Sequence, residues 1–252
     1  MIRLLFGNVG SGKTASMVYE MVGNPQNTYI TNIKMYGGKQ CSHIIELKPE
    51  MIINKEVVRY KKDDTPVHKF TLNTQFWKDI HNKYSNINVV IDEAHIFFNP
   101  RRSMSSLNII MTDYMALLRR VLGTTDNTGD LVLITQLQRR LDIIAKEMSN
   151  EISYFVNHYI LQCVNCGLTY YENNERAEKI RGCYGCGCYK LKKIKCNIEV
   201  YKFSNMTNYN MFMEFGSKTY YSHFMIKDIE TVFNLYDTLQ WDDMFTDFVY
   251  SD

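Results

Sequence analysis

No apolar run in this 252-residue chain approaches the ~18 residues needed to span a bilayer. No cleavable leader is expected either. A glycine-rich motif begins at Gly7, which leaves no room for a charged start followed by an apolar stretch. Charge of one sign is scarce: 29 Lys and Arg stand against 27 Asp and Glu, a net charge of +2. That balance excludes a highly basic nucleic-acid coat, so any contact with DNA must come from local patches. Cysteine is nearly absent from the first 160 residues, where Cys41 stands alone and reads as a packed core residue. These absences describe a soluble, intracellular protein. Its length suits one α/β domain with an appendage, or two small domains.

What is present is organised around Gly7 to Thr14, GNVGSGKT. It has the G-x-x-x-x-G-K-[ST] spacing of a P-loop and follows one short apolar run, Ile2 to Phe6. Gly7, Gly10 and Gly12 let the backbone turn tightly and bring its N–H groups against phosphate oxygens. Asn8, Val9 and Ser11 complete the phosphate cradle. The helix expected over Ala15 to Val22, closed by Gly23, Asn24 and Pro25, adds its positive dipole end. Lys13 reaches the β- and γ-phosphates of a nucleotide, and the Thr14 hydroxyl is placed for magnesium.

Further along, Thr28 to Asn32 is a short β-type run. The region 34–70 gives mixed signals for two or three strands, among them Glu56 to Tyr60 and His68 to Leu72. Gln75 to Tyr84 reads as a helix, and Ile87 to Ile91 as a buried parallel strand. That strand ends in Asp92 and Glu93, at the tip where ligands of open α/β sheets bind. There Asp92 suits the magnesium shell, and Glu93 suits activation of the attacking water. Leu107 to Leu122 has helical periodicity, and the stretch from Gly123 to Asp130 is a loop. The strand from Leu131 to Thr135 ends at Gln136, beside the expected γ-phosphate. Arg139 and Arg140 precede a helix to about Asn150, and a further strand runs from Ile152 to Leu161.

These segments, with VVIDEAHIFFNPRRS and GDLVLITQLQRRLD, resemble the ATPases of the FtsK/HerA superfamily. The likeness is to the zonular occludens toxin-like proteins of filamentous phages and to related viral genome-packaging ATPases, over roughly residues 1–160. It implies a RecA-like (ASCE) α/β fold, a parallel sheet sandwiched by helices. It further implies ATP and Mg2+ as ligands and assembly as a homo-oligomeric ring, a hexamer being one option. The resemblance also implies movement of single- or double-stranded DNA, with capsid or other virion proteins as further partners. On that reading Lys13, Thr14, Asp92, Glu93 and Gln136 take the ATP-site roles. Filamentous-phage members typically carry a membrane-spanning helix after the ATPase domain. Its absence here favours a soluble packaging motor in the host cytoplasm or associated with the virion. A ring motor needs an arginine from the neighbouring subunit, and Arg119 and Arg120 are the candidates. Arg101, Arg102, Arg139 and Arg140 are further pairs that suit DNA phosphates in a pore.

Cys163-x-x-Cys166, sixteen residues, then Cys183-x-x-Cys186 has the spacing of a zinc ribbon inserted near the C-terminus. Two thiolates from each knuckle close a tetrahedron around Zn2+, with no open position for chemistry. Cys188 and Cys196 are extra. Lys190, Lys192, Lys193 and Lys195 follow closely and would attract phosphate if the ribbon touches DNA. The chain thus divides into an ATPase domain over 1–160, the ribbon over 161–196 and an extension over 197–252. Within the last, IEVYKF from Asn197 alternates as a strand returning to the main body, and Phe224 to Leu239 is expected to be helical. The segment from Asp237 to Asp252 combines acids with Trp241, Phe245, Phe248 and Tyr250, a composition suited to docking on a partner or to local packing.

Other readings compete. Asp-Glu-Ala-His at 92–95 suggests an RNA helicase, yet fewer than 120 residues follow the Leu131 strand, too few for a second RecA-like domain. A terminase would add a cluster of acidic nuclease residues, which the sequence lacks. A small-molecule kinase would need an acceptor pocket that no residue pattern marks. An ATP-dependent switch or scaffold with little turnover is the remaining alternative, and Glu93 argues against it.

Overall fold

The computed structural model describes residues 1–60, 62–64, 66–96, 106–124, 127–136, 141, 143–173 and 182–237. Arg101, Arg102, Arg139, Arg140 and the aromatic tail beyond Asp237 lie outside the described residues.

The P-loop strand β1 (Ile2–Phe6) leads to α1 (Lys13–Gly23) and then to β2 (Thr28–Thr31) and β3 (Ile44–Glu46). A short helix α2 (Pro49–Ile52) opens a hairpin of β4 (Ile53–Tyr60) and β5 (Pro66–Leu72). Next come α3 (Thr74–Lys83), β6 (Ile87–Ile91) and α4 (Ser106–Leu122). The expected loop before the next strand contains two paired two-residue strands, β7 (Gly123–Thr124) and β8 (Asn127–Thr128). After β9 (Leu131–Ile134) and α5 (Ile143–Glu147), the chain enters β10 (Glu151–Cys163), β11 (Thr169–Asn173) and β12 (Leu191–Phe203). It ends in α6 (Met206–Phe215), β13 (Ser222–Ile226) and a 3-10 turn at Ile229–Val232.

One nine-stranded sheet carries the architecture, in the order β13-β12-β10-β1-β9-β6-β2-β3, with β11 paired to β10. From β10 to β3 all pairs are parallel, whereas β11, β12 and β13 join antiparallel. The expected parallel sheet is therefore a mixed, mostly parallel α/β sheet. The physical reason is that β11 doubles back on β10 across the short turn at 164–168, which antiparallel pairing allows, while β12 and β13 each run opposite to the strand beside them.

Alternation along β1 sends its side chains to two separate cores. Ile2, Leu4 and Phe6 join Trp77, Tyr114 and Tyr209 on one face. Leu5 joins Met17, Val18 and Met21 of α1 on the other, with Val232 from the final turn. Helices thus cover both faces of the central strands. At about 25 cal/mol per Å2, each such fully buried side chain contributes about 1.5–3 kcal/mol.

Two expectations for the C-terminal region fail. Over its described part, 224–237, the expected helix is absent: Phe224 pairs with Val200 in the edge strand, and Asp228 sits at φ 53°, which breaks any helix there. The helix lies earlier, in α6. Asn205 caps it by accepting from Asn208 N at 2.9 Å, and Gly216 closes it.

Candidate nucleotide site

Three parallel strands end at one place. Phe6 of β1 hands over to the loop, Ile91 of β6 to Asp92 and Glu93, and Ile134 of β9 to Thr135 and Gln136. Because β9 is inserted between β1 and β6, its tip lies between the loop and the two acids. Backbone bonds fasten the junctions, from Ala94 N to Ile134 O at 2.9 Å and from Thr135 N to Leu5 O at 3.1 Å.

Lys13 is 6% exposed, and its Nζ donates to Gly7 O and Asn8 O, both at 2.9 Å. Burial pushes its pKa down, and the charges of Asp92 and Glu93 only partly offset that. The first turn of α1 holds no acidic residue, so its N-terminal dipole faces the loop uncompensated. Thr14 Oγ1 donates to Asp92 Oδ2 at 2.8 Å. Burial raises the Asp92 pKa, although bonds from Thr14 and the Glu93 amide pull the other way. A buried carboxylate beside a hydroxyl, with Lys13 only partly offsetting the cost of burying its charge, is a donor set that fits Mg2+. Thr14 and Asp92 are the residues that would hold it.

Glu93 sits at φ 49°, an uncommon backbone angle for a side chain of this kind. Gln136 Nε2 donates to its Oε1, and His95 Nδ1 lies 3.1 Å from its Oε2. Burial would raise its pKa, but the His95 and Gln136 bonds and the charge of Lys13 overrule it, leaving the carboxyl below the usual range. Glu93 is therefore anionic at neutral pH and aimed by two neighbours, as a proton acceptor must be.

Lys13, Thr14, Asp92, Glu93 and Gln136 thus lie together at the tips of β1, β6 and β9. Arg119 and Arg120 do not join them. Both are exposed in the last turn of α4. That turn lies toward the opposite ends of the central strands, where His81 at the end of α3 donates to Val121 O at 3.1 Å just before β6 begins.

One supporting residue escaped the sequence reading. Asn32, just past β2, accepts from Asp92 N at 2.7 Å and donates to Asp92 O at 3.0 Å. Its side chain extends the sheet by one rung and fixes the Asp92 backbone. The available signal was its place, since it is a polar residue at a strand tip like Asp92 and Gln136.

The four cysteines also converge. The Cys163 and Cys186 sulfurs lie 3.6 Å apart, those of Cys166 and Cys183 3.4 Å, and all four lie within 4.8 Å of one another. Tetrahedral thiolate coordination of zinc needs sulfurs about 3.8 Å apart, so the cluster fits such a metal ion. The two knuckles repeat one pattern: Gly167 N donates to Cys163 O, and Gly187 N to Cys183 O. Tyr170 bonds Cys183 Sγ at 2.9 Å and is the main cause of a thiol pKa lowered to about 6. Cys188 stands outside the four-sulfur set, and Cys41 is buried, as expected. Lys190 and Lys192 are exposed beside the cluster.

The sequence matches the family described as Zonular occludens toxin (Zot) over residues 1–208. The chain belongs to the Zot family. No curated protein matches it. Among solved structures, the N-terminal domain of zonular occludens toxin from Neisseria meningitidis is similar at 14% identity, with a TM-score of 0.45, over 94% of this chain and 98% of that one. The genome packaging NTPase B204 of Sulfolobus turreted icosahedral virus 2, in complex with ATP-gammaS, is similar at 15% identity, with a TM-score of 0.39, over 78% and 90%. These overall superpositions are weak. Among the described residues of this Zot-family chain, no helix is long and apolar enough to cross a membrane.

Proposed function

We propose that this Zot-family chain is an ATPase that drives DNA translocation in viral genome packaging or virion assembly. The observation that carries the reading is the clustering of Lys13, Thr14, Asp92, Glu93 and Gln136 at the tips of three neighbouring strands. The loop from Gly7 to Gly12 and the start of α1 bind the triphosphate through backbone N–H groups, and Lys13 neutralises its outer phosphates. Thr14 and Asp92 would hold Mg2+, which when bound would supply positive charge against that of the phosphates. Glu93 accepts the proton of the attacking water. Gln136, bonded to Glu93, links that carboxylate to β9 and so to the neighbouring strands.

Arg119 or Arg120 serves the site of the next subunit in a homo-oligomeric ring. Exposure toward the other ends of the strands supports that role, because neither residue can act on the site of its own chain from there. Cys163, Cys166, Cys183 and Cys186 hold Zn2+ in a ribbon over 161–196, between the ATPase body of 1–160 and the extension of 197–252. The setting we propose is the host cytoplasm or the virion.

The deciding experiment measures ATP hydrolysis with no DNA, with single-stranded DNA and with double-stranded DNA, beside a native mass determination. A translocating ring should hydrolyse faster with one of the DNAs and run as a multiple of the 29.7 kDa chain. Equal rates in all three conditions would remove the translocase. Little turnover under any condition would leave a nucleotide-dependent switch.

A further inference from the structure

Three residues of the long strands β10 and β12 stand directly against the phosphate loop. A Cβ placed on Gly7 would lie 2.9 Å from Phe155 O, and one on Gly12 would lie 2.1 Å from Ile198 Cδ1. Between them Asn157, 5% exposed, donates from Nδ2 to Gly10 O at 2.9 Å and to the Tyr159 hydroxyl at 3.1 Å. That amide nitrogen has two hydrogens and places both.

The Gly10 bond has a mechanical consequence. In a planar peptide the carbonyl and the next N–H point in opposite directions. Holding Gly10 O against Asn157 therefore turns Ser11 N–H inward, where it donates to Asn8 O at 3.1 Å and closes the turn Asn8–Ser11. Ile198 blocks sideways relaxation of the loop at Gly12, which is left-handed at φ 88°.

We infer that Asn157 is a positioning residue for nucleotide binding: by anchoring Gly10 O it fixes the peptide plane that shapes the phosphate cradle. Ile198 and Tyr159 support it, and the three together make β10 and β12 an outer wall of the site. The inference rests on the ATP-binding reading and adds residues some 150 positions from the motif. Because the same two strands carry Cys163 and the chain around Cys188 at their distal ends, the wall joins the cysteine cluster to the loop without a flexible linker.

The test compares the wild-type chain with Asn157→Ala, Tyr159→Phe and Ser153→Ala. Ser153 is a buried residue of β10 on the same face that does not bond the loop. For each, affinity for a fluorescent ATP analogue with magnesium, KM and kcat for ATP, and the melting temperature are measured. Loss of one buried bond to the loop should weaken binding and raise KM about 3- to 10-fold in Asn157→Ala, with kcat within about twofold. Tyr159→Phe should shift affinity in the same direction by less, and Ser153→Ala should leave it unchanged. A melting-temperature change in Asn157→Ala with unchanged affinity would mean a structural role only and overturn the inference. So would an equal loss of affinity in Ser153→Ala. If Asn157→Ala does not fold, Tyr159→Phe decides, and unchanged affinity there overturns the inference. A wild-type chain that binds no nucleotide would overturn the ATP reading as well, whereas binding by the wild type with an unaffected Asn157→Ala overturns this inference alone.

Discussion

On the proposed function turnover depends on Glu93, whose carboxylate accepts from Gln136 and lies 3.1 Å from His95 Nδ1. Glu93→Gln keeps the shape and removes the base. ATP hydrolysis is expected to fall at least about 100-fold, with ATP affinity unchanged within about twofold, as read by single-turnover assay and equilibrium binding. Asn32 acts one step back. Asn32→Ala removes both bonds to the Asp92 backbone and should cost about 1–3 kcal/mol. It should also raise the magnesium concentration needed for half-maximal ATP binding, and a Mg2+ titration with a thermal melt reads both effects. The role of Glu93 was legible from its place at a strand tip; that of Asn32 was not, because Asn32 and Asp92 are sixty positions apart.

At the scale of elements, the joint between β1, β10 and β12 is held by charge. Arg3 bonds both Glu20 and Glu151, and Glu151 also receives Lys202 and the Tyr221 hydroxyl. Glu151 is 6% exposed; burial would raise its pKa, but Tyr221, Arg3 and Lys202 bring it below the usual value. Its contribution to stability is thus fully present above the unfolded pKa, about 4.5, and is lost as pH falls through the lower folded value. Glu151→Gln should therefore be less stable than wild type by about 1–3 kcal/mol at neutral pH. The difference should shrink below about pH 4, and urea midpoints across that range would check it. Most of the elements tied together here were legible one by one: the apolar runs at 2–6, 87–91 and 131–135 are strands, and the periodic run at 107–122 is a helix. Pairing was not legible. Phe224 to Ile226 has enough apolar character for either a helix or an edge strand, and only hydrogen bonding to β12 decides for the strand.

For the whole molecule, the cysteine cluster is an integral extension of the main sheet. β10 runs from Glu151, beside β1, to Cys163, with a shift in its register against β12 between Ile160 and Leu161. One zinc per chain is the expected metal content, released by chelator together with a thiol reagent and measured by elemental analysis and a colorimetric indicator. Removing it should lower the melting temperature, since four thiols brought within 4.8 Å lose what holds them there. Cys163→Ser should bind no zinc, whereas Cys188→Ser should keep full occupancy.

The sequence by itself determined the chemistry on offer: a phosphate loop, a strand ending in two acids, another ending in glutamine, and two cysteine knuckles at metal-binding spacing. Each is a local pattern, set by short-range geometry that a run of a few residues specifies. Only the tertiary structure decided that β9 separates β1 from β6, that Asn32 splints Asp92, and that the closing strands return antiparallel. It alone set Ile198 and Asn157 against the glycines of the loop. Those facts depend on which strands pair across more than a hundred residues, and pairing is fixed by the packing of both sheet faces at once, which no single segment encodes.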